Sequence, residues 1–165
     1  MTKREQLAGK HGQQIARSVL SGLGLEMLEE IGTPVKLIPV HGARRNVYQV
    51  IWGEKVAGDH RAMFPDGRSV LIEVKTVDNR NLVWSDLREH QPDKLRQHAC
   101  LNGLSLVVWV CGAAVYVMRF PVNGFGPGKG ITPDQAACHH ADTVQYIQNR
   151  LSAIKQGMAE LEQVL

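Results

Sequence analysis

Cysteine is scarce in this 165-residue chain, and its three cysteines show no metal-binding spacing. Cys100, Cys111 and Cys138 are odd in number and form no C-x-x-C pair, which argues against a disulfide framework and against a zinc ribbon. His139 and His140 do not complete a site with Cys138, because adjacent residues of a helix point in different directions. We therefore expect a protein of a reducing compartment.

Long apolar segments are also missing, and we expect no secretion signal. The longest apolar run, residues 104–118, is interrupted by Gly112 and falls short of the ~20 residues that span a bilayer. The start of the chain, MTKREQ, is polar and unlike a signal peptide. Apolar residues make up 44% of the chain and charged residues 21%, as in ordinary folded proteins. These features predict one domain over residues 1–165 in the cytoplasm, with no membrane partner.

Hydrophobic periodicity and turn residues predict an α/β fold. The strand of residues 68–76, the helix of residues 92–101 and the apolar strand of residues 104–111 predict a right-handed crossover with parallel strands, and residues 115–120 return antiparallel. The other expected elements are a helix over residues 6–20, an extended edge segment over 33–40, a strand over 47–52 for which a helix or an arm is the alternative, and a hairpin strand over 56–64.

Residues 142–165 predict a long amphipathic C-terminal helix with apolar residues at alternating spacings of three and four. Two uses of its apolar stripe remain open: packing against the domain's own sheet, or a dimer seam. The preceding glycine-rich loop, residues 124–130, lacks the Walker spacing and has no Ser or Thr after Lys129. That loop is therefore not a phosphate-binding P-loop.

An otherwise apolar predicted strand carries Glu73 and Lys75, which project from the same face because strand side chains alternate. The turn before it contains Pro65-Asp66-Gly67, which predicts a three-residue hairpin loop that pairs Phe64 with Arg68. Counting outward from that pair places Asp59 opposite Glu73. The two carboxylates and the lysine then lie within about 5 to 7 Å of one another.

Two neighbouring carboxylates repel unless a cation or a proton lies between them, and oxygen ligands of this kind suit Mg²⁺ or Mn²⁺. Lys75 beside them can hold or polarise a water molecule. Metal-assisted hydrolysis of a phosphodiester needs this arrangement. The alternative is a solvated Glu73–Lys75 pair on a half-exposed sheet.

The order of carboxylate, hairpin, E-x-K strand, loop, helix and apolar strand resembles the PD-(D/E)xK nuclease superfamily. Its fold is a mixed central β-sheet flanked by helices. The segments 33–40, 73–76 and 82–91 are similar to successive blocks of the RecU-type Holliday-junction resolvases, and His90-Gln91 at the head of a helix is the most distinctive part. The resemblance covers residues 12–119.

The resemblance implies that Asp59 and Glu73 bind Mg²⁺, which Mn²⁺ can replace, and that the backbone carbonyl of Val74 is a further ligand. Lys75 would orient the attacking water or stabilise charge. Gln91 would complete the site or position water through its amide, although an ordinary helix cap is an equal alternative for this residue.

The family also implies a DNA-engaging stalk, whose place residues 44–55 occupy here. Arg44, Arg45 and Lys55 in this segment are candidate DNA-binding residues, and the net charge of +3 permits such a partner. The expected function is Mg²⁺-dependent resolution of four-way junctions by paired symmetric nicks, carried out by a homodimer in a bacterial cell or encoded by a phage. Two alternatives are a nuclease of this fold for another DNA structure, and a non-catalytic DNA-binding scaffold with a decayed nuclease fold.

The chain departs from the family pattern at two places. Related nucleases often carry a further acid on the first helix, where this chain has Gln13 and Gln14, with Glu5 outside the similar region. We expect the missing acid to weaken one metal position. Gly58 stands before Asp59 where the RecU pattern tends to have a hydroxyl residue, so we expect a contact to be lost there.

Overall fold

The computed structural model describes residues 3–31, 35–39, 48–52 and 58–162. Within these ranges the chain forms three α-helices and nine strands. The helices are α1 (Lys3–Gly22), α2 (His90–Cys100) and α3 (Pro133–Glu162). The strands are β1 (Glu26–Glu30), β2 (Val35–Pro39), β3 (Tyr48–Trp52), β4 (His60–Met63), β5 (Ser69–Thr76), β6 (Leu82–Val83), β7 (Leu104–Cys111), β8 (Ala114–Arg119) and β9 (Gly130–Ile131).

Five of the described strands form a mixed central sheet in the order β1-β4-β5-β7-β8. β5 and β7 are parallel and are joined through α2, whereas β4 pairs with β5 and β8 pairs with β7 in antiparallel fashion. The predicted parallel crossover and its antiparallel return are therefore confirmed. β7 is buried along nearly its whole length, as expected of a central strand that is covered on both faces.

Three parts of the fold differ from the sequence prediction. The edge strand β1 was not predicted, because its sequence, EMLEE, has no clean alternation of apolar and polar residues. The segment after β5, where the sequence predicts no helix or strand, contains β6, which pairs with β9. In the extended segment predicted over residues 33–40, the described strand β2 is an edge strand as expected, but it pairs with β3 in a two-stranded sheet separate from the central one.

Each face of the central sheet packs on its own apolar cluster. One cluster joins α1 and α3 to the sheet through Leu20, Ile72, Leu106 and Ile147. The other joins α2 and the segment after β8 to the opposite face, where Leu95 contributes. The even-numbered residues of β5 belong to the first cluster and Leu71 belongs to the second, so Glu73 and Lys75 project on the α2 side.

The C-terminal helix α3 begins at Pro133, nine residues before the predicted start at 142. Thr132 caps its first turn, because its hydroxyl accepts a hydrogen bond from the backbone N–H of Gln135 and its own N–H donates to the Gln135 side chain. Residues 163–165 lie outside the described ranges. None of the described helices combines the length and apolar character that crossing a membrane requires.

Gly12 lets α1 lie close against the end of β5. A Cβ atom at this position would lie 2.0 Å from the side-chain oxygen of Thr76. We expect Gly12→Ala to lower the free energy of unfolding, because overpacking costs about 1 to 3 kcal/mol and outweighs the ~1 kcal/mol helix-propensity gain. Gly9→Ala on the same helix meets no atom within 4 Å and should raise it by up to about 1 kcal/mol. Urea denaturation measures both changes, and equal stabilisation by the two alanines would contradict the packing argument.

Candidate active site

The hairpin between β4 and β5 closes as the turn residues predict. The N–H of Phe64 donates to the carbonyl of Arg68 at 2.9 Å, and Gly67 adopts a φ of +83°. The ladder then runs in the predicted register as far as His60 opposite Ile72. Asp59 lies one residue before the first paired residue of β4, and its N–H donates to the carbonyl of Ile72 at 2.7 Å. It therefore precedes the ladder instead of forming its next pair.

The carboxylate of Asp59 is held by groups from two elements. Its Oδ2 accepts a 2.8 Å hydrogen bond from the backbone N–H of Val74 on β5. Its Oδ1 accepts a 3.3 Å hydrogen bond from Nε2 of Gln13 on α1. The Val74 bond draws the Asp59 side chain toward the strand position that follows Glu73. These bonds hold Asp59 beside β5 at the end of the hairpin, close enough for its charge to act on Glu73.

Glu73 is almost completely buried, with 1% of its surface exposed. Its Oε2 accepts a 3.2 Å hydrogen bond from the N–H of Gly58, and its Oε1 forms a 2.9 Å ion pair with Nζ of Lys75. Oε1 also accepts a short hydrogen bond from Nε2 of Gln91. This carboxylate belongs to a buried, connected polar network. The alternative interpretation, a solvated Glu73–Lys75 pair, is therefore wrong.

Gln91 links Glu73 and Lys75 to α2. Its Oε1 accepts from Nζ of Lys75 at 3.0 Å and from the backbone N–H of Arg88 at 2.7 Å, while its Nε2 donates to Glu73. The bond to Arg88 is a local one of the kind that the helix-cap alternative predicted, and the other two reach the site. The side chain of Gln91 thus makes a local contact with Arg88 and also contacts Glu73 and Lys75. Its role in completing the site or positioning water stays a prediction.

Burial raises the pKa of Glu73 above its ordinary value, and the negative charge of Asp59 raises it further. The cation of Lys75 opposes both effects, as do the hydrogen bonds from Lys75 and Gly58. The net upward direction means that the ionised Glu73 lacks full compensation from the protein. A cation beside Asp59 and Glu73 would supply it.

Gly58 and Gln13 contribute contacts that sequence reasoning treated as losses. Gly58 has a φ of +84°, and a Cβ there would lie 2.5 Å from a methyl carbon of Leu71. Only glycine can therefore bring its N–H to Glu73 in this conformation. Gln13 reaches Asp59 from α1, the helix on which the family resemblance led us to expect an acid. A glycine directly before a candidate active-site acid was the available signal for the first contact.

Arg44, Arg45 and Lys55 lie outside the described residues. Within the predicted stalk of residues 44–55, the structure describes β3, which forms an antiparallel ribbon with β2. The use of this segment in DNA binding stays a prediction.

The donor set fits a magnesium ion better than a metal that needs a full protein cage. In the described ranges no cluster of three or more His, Cys, Asp and Glu side chains could hold a metal. Asp59 and Glu73 therefore offer two carboxylates, and a backbone carbonyl and water would have to complete the set. Mg²⁺ is commonly bound by one or two carboxylates and keeps several waters. The Val74 carbonyl stays a predicted ligand.

The raised pKa of Glu73 predicts that the metal-free protein loses stability as the pH rises. The folded state favours protonated Glu73, so this contribution to stability is present below the unfolded pKa of about 4.5 and is lost as pH rises through the higher folded pKa. In chelator, the melting temperature of Glu73→Gln minus that of the wild type should therefore increase from pH 4 to pH 7. Of these two proteins, only the wild type should be stabilised by Mg²⁺ at pH 7.

Glu162→Gln on the exposed end of α3 is the control for this comparison. Thermal denaturation followed by circular dichroism measures all three proteins. A difference in melting temperature between Glu73→Gln and wild type that stays constant from pH 4 to pH 7 would contradict the pKa argument.

No family model matches the chain, and no curated protein matches it. Among solved structures the chain is similar to Hjc, a Holliday junction resolvase from the archaeal hyperthermophile Archaeoglobus fulgidus. The TM-score is 0.50 at 18% sequence identity, and the match covers 82% of this chain and 99% of Hjc. The mixed central sheet and its flanking helices thus form an α/β fold similar to that of this junction resolvase.

Proposed function

We propose that this protein is a Mg²⁺-dependent endonuclease that cuts four-way DNA junctions by paired symmetric nicks, in the manner of the RecU-type resolvases. The observation that carries the proposal is the hydrogen-bonded group of Glu73, Lys75 and Gln91 at one end of the central sheet, with the Asp59 carboxylate bonded to the backbone N–H of Val74 beside it. The fold shared with a junction resolvase supports the same conclusion.

Asp59 and Glu73 would hold the metal together with the Val74 carbonyl. The chemistry that Mg²⁺ supplies in such a site is neutralisation of charge on the phosphate and a lower pKa of water. Gln13 and the Val74 N–H keep Asp59 oriented, and the Gly58 N–H keeps Glu73 oriented. Hydrogen bonds of this kind pre-orient the two carboxylates for a cation.

Lys75 would act on the water or on the phosphate. Two of its three N–H donors are directed to Glu73 and Gln91, which leaves one donor for a substrate oxygen. The Lys75 side chain is 14% exposed, so it is largely but not completely buried. Gln91 holds the amine in this position by accepting one of its hydrogens.

A homodimer suits a four-way junction, because two active sites related by a two-fold axis can cut opposed strands symmetrically. The two halves of α3 differ in the exposure of their apolar side chains. Ile147 is buried in the domain's own core, whereas Met158 and Leu161 near the end are 52% and 66% exposed. We assign these exposed side chains to the dimer seam. Met158→Glu with Leu161→Glu should yield a monomer in sedimentation analysis and abolish paired nicking.

Cleavage of a labelled four-way junction tests the function. With Mg²⁺ and wild-type protein we expect symmetric nicks in opposed strands, and weaker cleavage of a duplex with the same sequence at the same salt concentration. Binding should fall steeply with salt because phosphate contacts dominate DNA affinity. Preferred cutting of flaps or duplex would assign another DNA substrate.

A calorimetric titration with Mg²⁺ separates an enzyme from a scaffold. Gln13 in place of an acid is the one observation on the described site that favours a scaffold, since it removes a candidate ligand. An intact Asp59–Glu73 site should bind Mg²⁺ with one ion per chain. Junction binding without any Mg²⁺ binding or nicking would establish the scaffold instead.

A further inference from the structure

A second polar network lies at the other end of α2, on the same face of the sheet as Glu73. The hydroxyl of Ser69 on β5 is 2.9 Å from Nε2 of His98, and Nδ1 of His98 is 2.9 Å from the hydroxyl of Ser105 on β7. Ser69 precedes Glu73 by four strand residues, so the two networks lie about 13 Å apart along β5. The nuclease site uses none of these three residues.

The tautomer of His98 follows from the hydrogen bonds of Ser105. The hydroxyl of Ser105 has one hydrogen, which it donates to the backbone carbonyl of Leu95 at 2.8 Å. Ser105 can therefore only accept from His98, so Nδ1 of the neutral ring carries the proton. Nε2 is then an acceptor, and the hydrogen of Ser69 points toward it. An exposed hydroxyl thus donates to an imidazole whose orientation a third group fixes, which is the arrangement of an activated nucleophile.

Positive charge and burial keep His98 in this acceptor state. Burial lowers the pKa of His98, and the cations of Arg61 and Arg68 lower it further. The imidazole is consequently neutral near pH 7.

The backbone of Gly103 leaves room for the ring. A Cβ at Gly103 would lie 2.2 to 2.6 Å from three atoms of the His98 imidazole, so any larger residue would displace it. Beside Ser69 the surface forms an open cavity of about 370 Å³, a volume within the range of small-molecule sites. Its lining is mainly polar and includes Asp66, Arg68, Asn102 and Arg150.

We propose that Ser69 is a nucleophile and His98 its general base, in a second site that hydrolyses small polar carboxylic esters. The Ser69 oxygen bonds to the ester carbonyl carbon while its proton passes to Nε2 of His98. The carbon–oxygen bond of the ester then breaks, and the leaving alcohol takes that proton. A water molecule next attacks the acyl-serine, with His98 again accepting and returning a proton, which releases the acid and restores Ser69. The polar cavity lining favours a small polar acyl group over a lipid chain.

The test measures burst and steady-state hydrolysis of p-nitrophenyl acetate by the full chain, together with labelling by a fluorophosphonate probe and peptide mapping of the label. We expect the label on Ser69 and a rate at least tenfold above that of Ser69→Ala. The rate should rise with pH through a midpoint below 6.5, the ordinary pKa of histidine. Ser152→Ala, which removes an exposed hydroxyl from α3, is the matched control and should react like the wild type.

Two further variants separate chemistry from folding. His98→Asn can keep a donor to Ser105 but has no atom at the Nε2 position, so it should fold and lose at least tenfold in labelling rate. Ser105→Ala removes the acceptor that fixes the tautomer of His98. It should therefore lower the plateau of the pH–rate profile severalfold, as expected of a positioning residue. Labelling spread over other serines, or labelling of Ser69 that is unchanged in folded His98→Asn, would overturn the proposal. Junction nicking should be unaffected by Ser69→Ala, so the two sites are tested independently.

Discussion

Asp59→Asn is expected to lower junction cleavage by about a thousandfold, equivalent to about 4 kcal/mol of transition-state stabilisation. Asparagine keeps the size of the side chain but removes the charge. It also places an NH₂ group where Asp59 now accepts hydrogen bonds from both Gln13 and Val74, so one of these donors loses its acceptor. Both changes weaken the position in which we place the metal.

Single-turnover nicking and calorimetric Mg²⁺ titration measure this effect. Asp93→Asn is the matched control, because it removes the same charge from an exposed carboxylate on α2. We expect the control to retain cleavage and Mg²⁺ binding, and circular dichroism to show native melting for both variants. Wild-type cleavage by folded Asp59→Asn would refute the assignment of this residue.

Local turn chemistry carried the site prediction furthest. Pro65 and Gly67 specified the hairpin loop, and the loop specified the register that brings Asp59 near Glu73. That prediction needed no tertiary information, because the side-chain period of a strand fixes each face once one pair is known. The buried strand β7 was predicted to the residue for a related reason, since its apolar run is bounded by Gly103 and Gly112.

Contacts that depend on the approach of whole elements were not predictable in the same way. The bond between Gln13 and Asp59 requires α1 to lie against β5, a distance set by Gly12 and Thr76. The link from His98 to Ser69 and Ser105 similarly joins three elements across the sheet. No sequence period encodes such distances. Asp59 lies just before the paired residues of β4, and the hydrogen bond that its side chain accepts from Val74 is likewise a contact that no sequence period encodes.

Lys75→Met should separate metal binding from catalysis. Methionine fills similar space without the cation, so the attacking water or the phosphate loses its positive partner. We expect cleavage to fall by at least about a hundredfold, or about 3 kcal/mol. Mg²⁺ binding should persist at neutral pH, because Asp59 and Glu73 remain and the competing charge of Lys75 is gone.

The pH dependence of that binding provides a second, independent readout. The Lys75 cation is the largest effect that lowers the pKa of Glu73, so its removal should raise that pKa further. Protons then compete with Mg²⁺ over a wider range, and the pH of half-maximal Mg²⁺ binding should move upward relative to wild type. Lys94→Met, on the exposed face of α2, controls for the loss of one positive charge. A variant that loses cleavage and Mg²⁺ binding together would place Lys75 in support of the carboxylates, whereas loss of cleavage alone assigns it to the reacting groups.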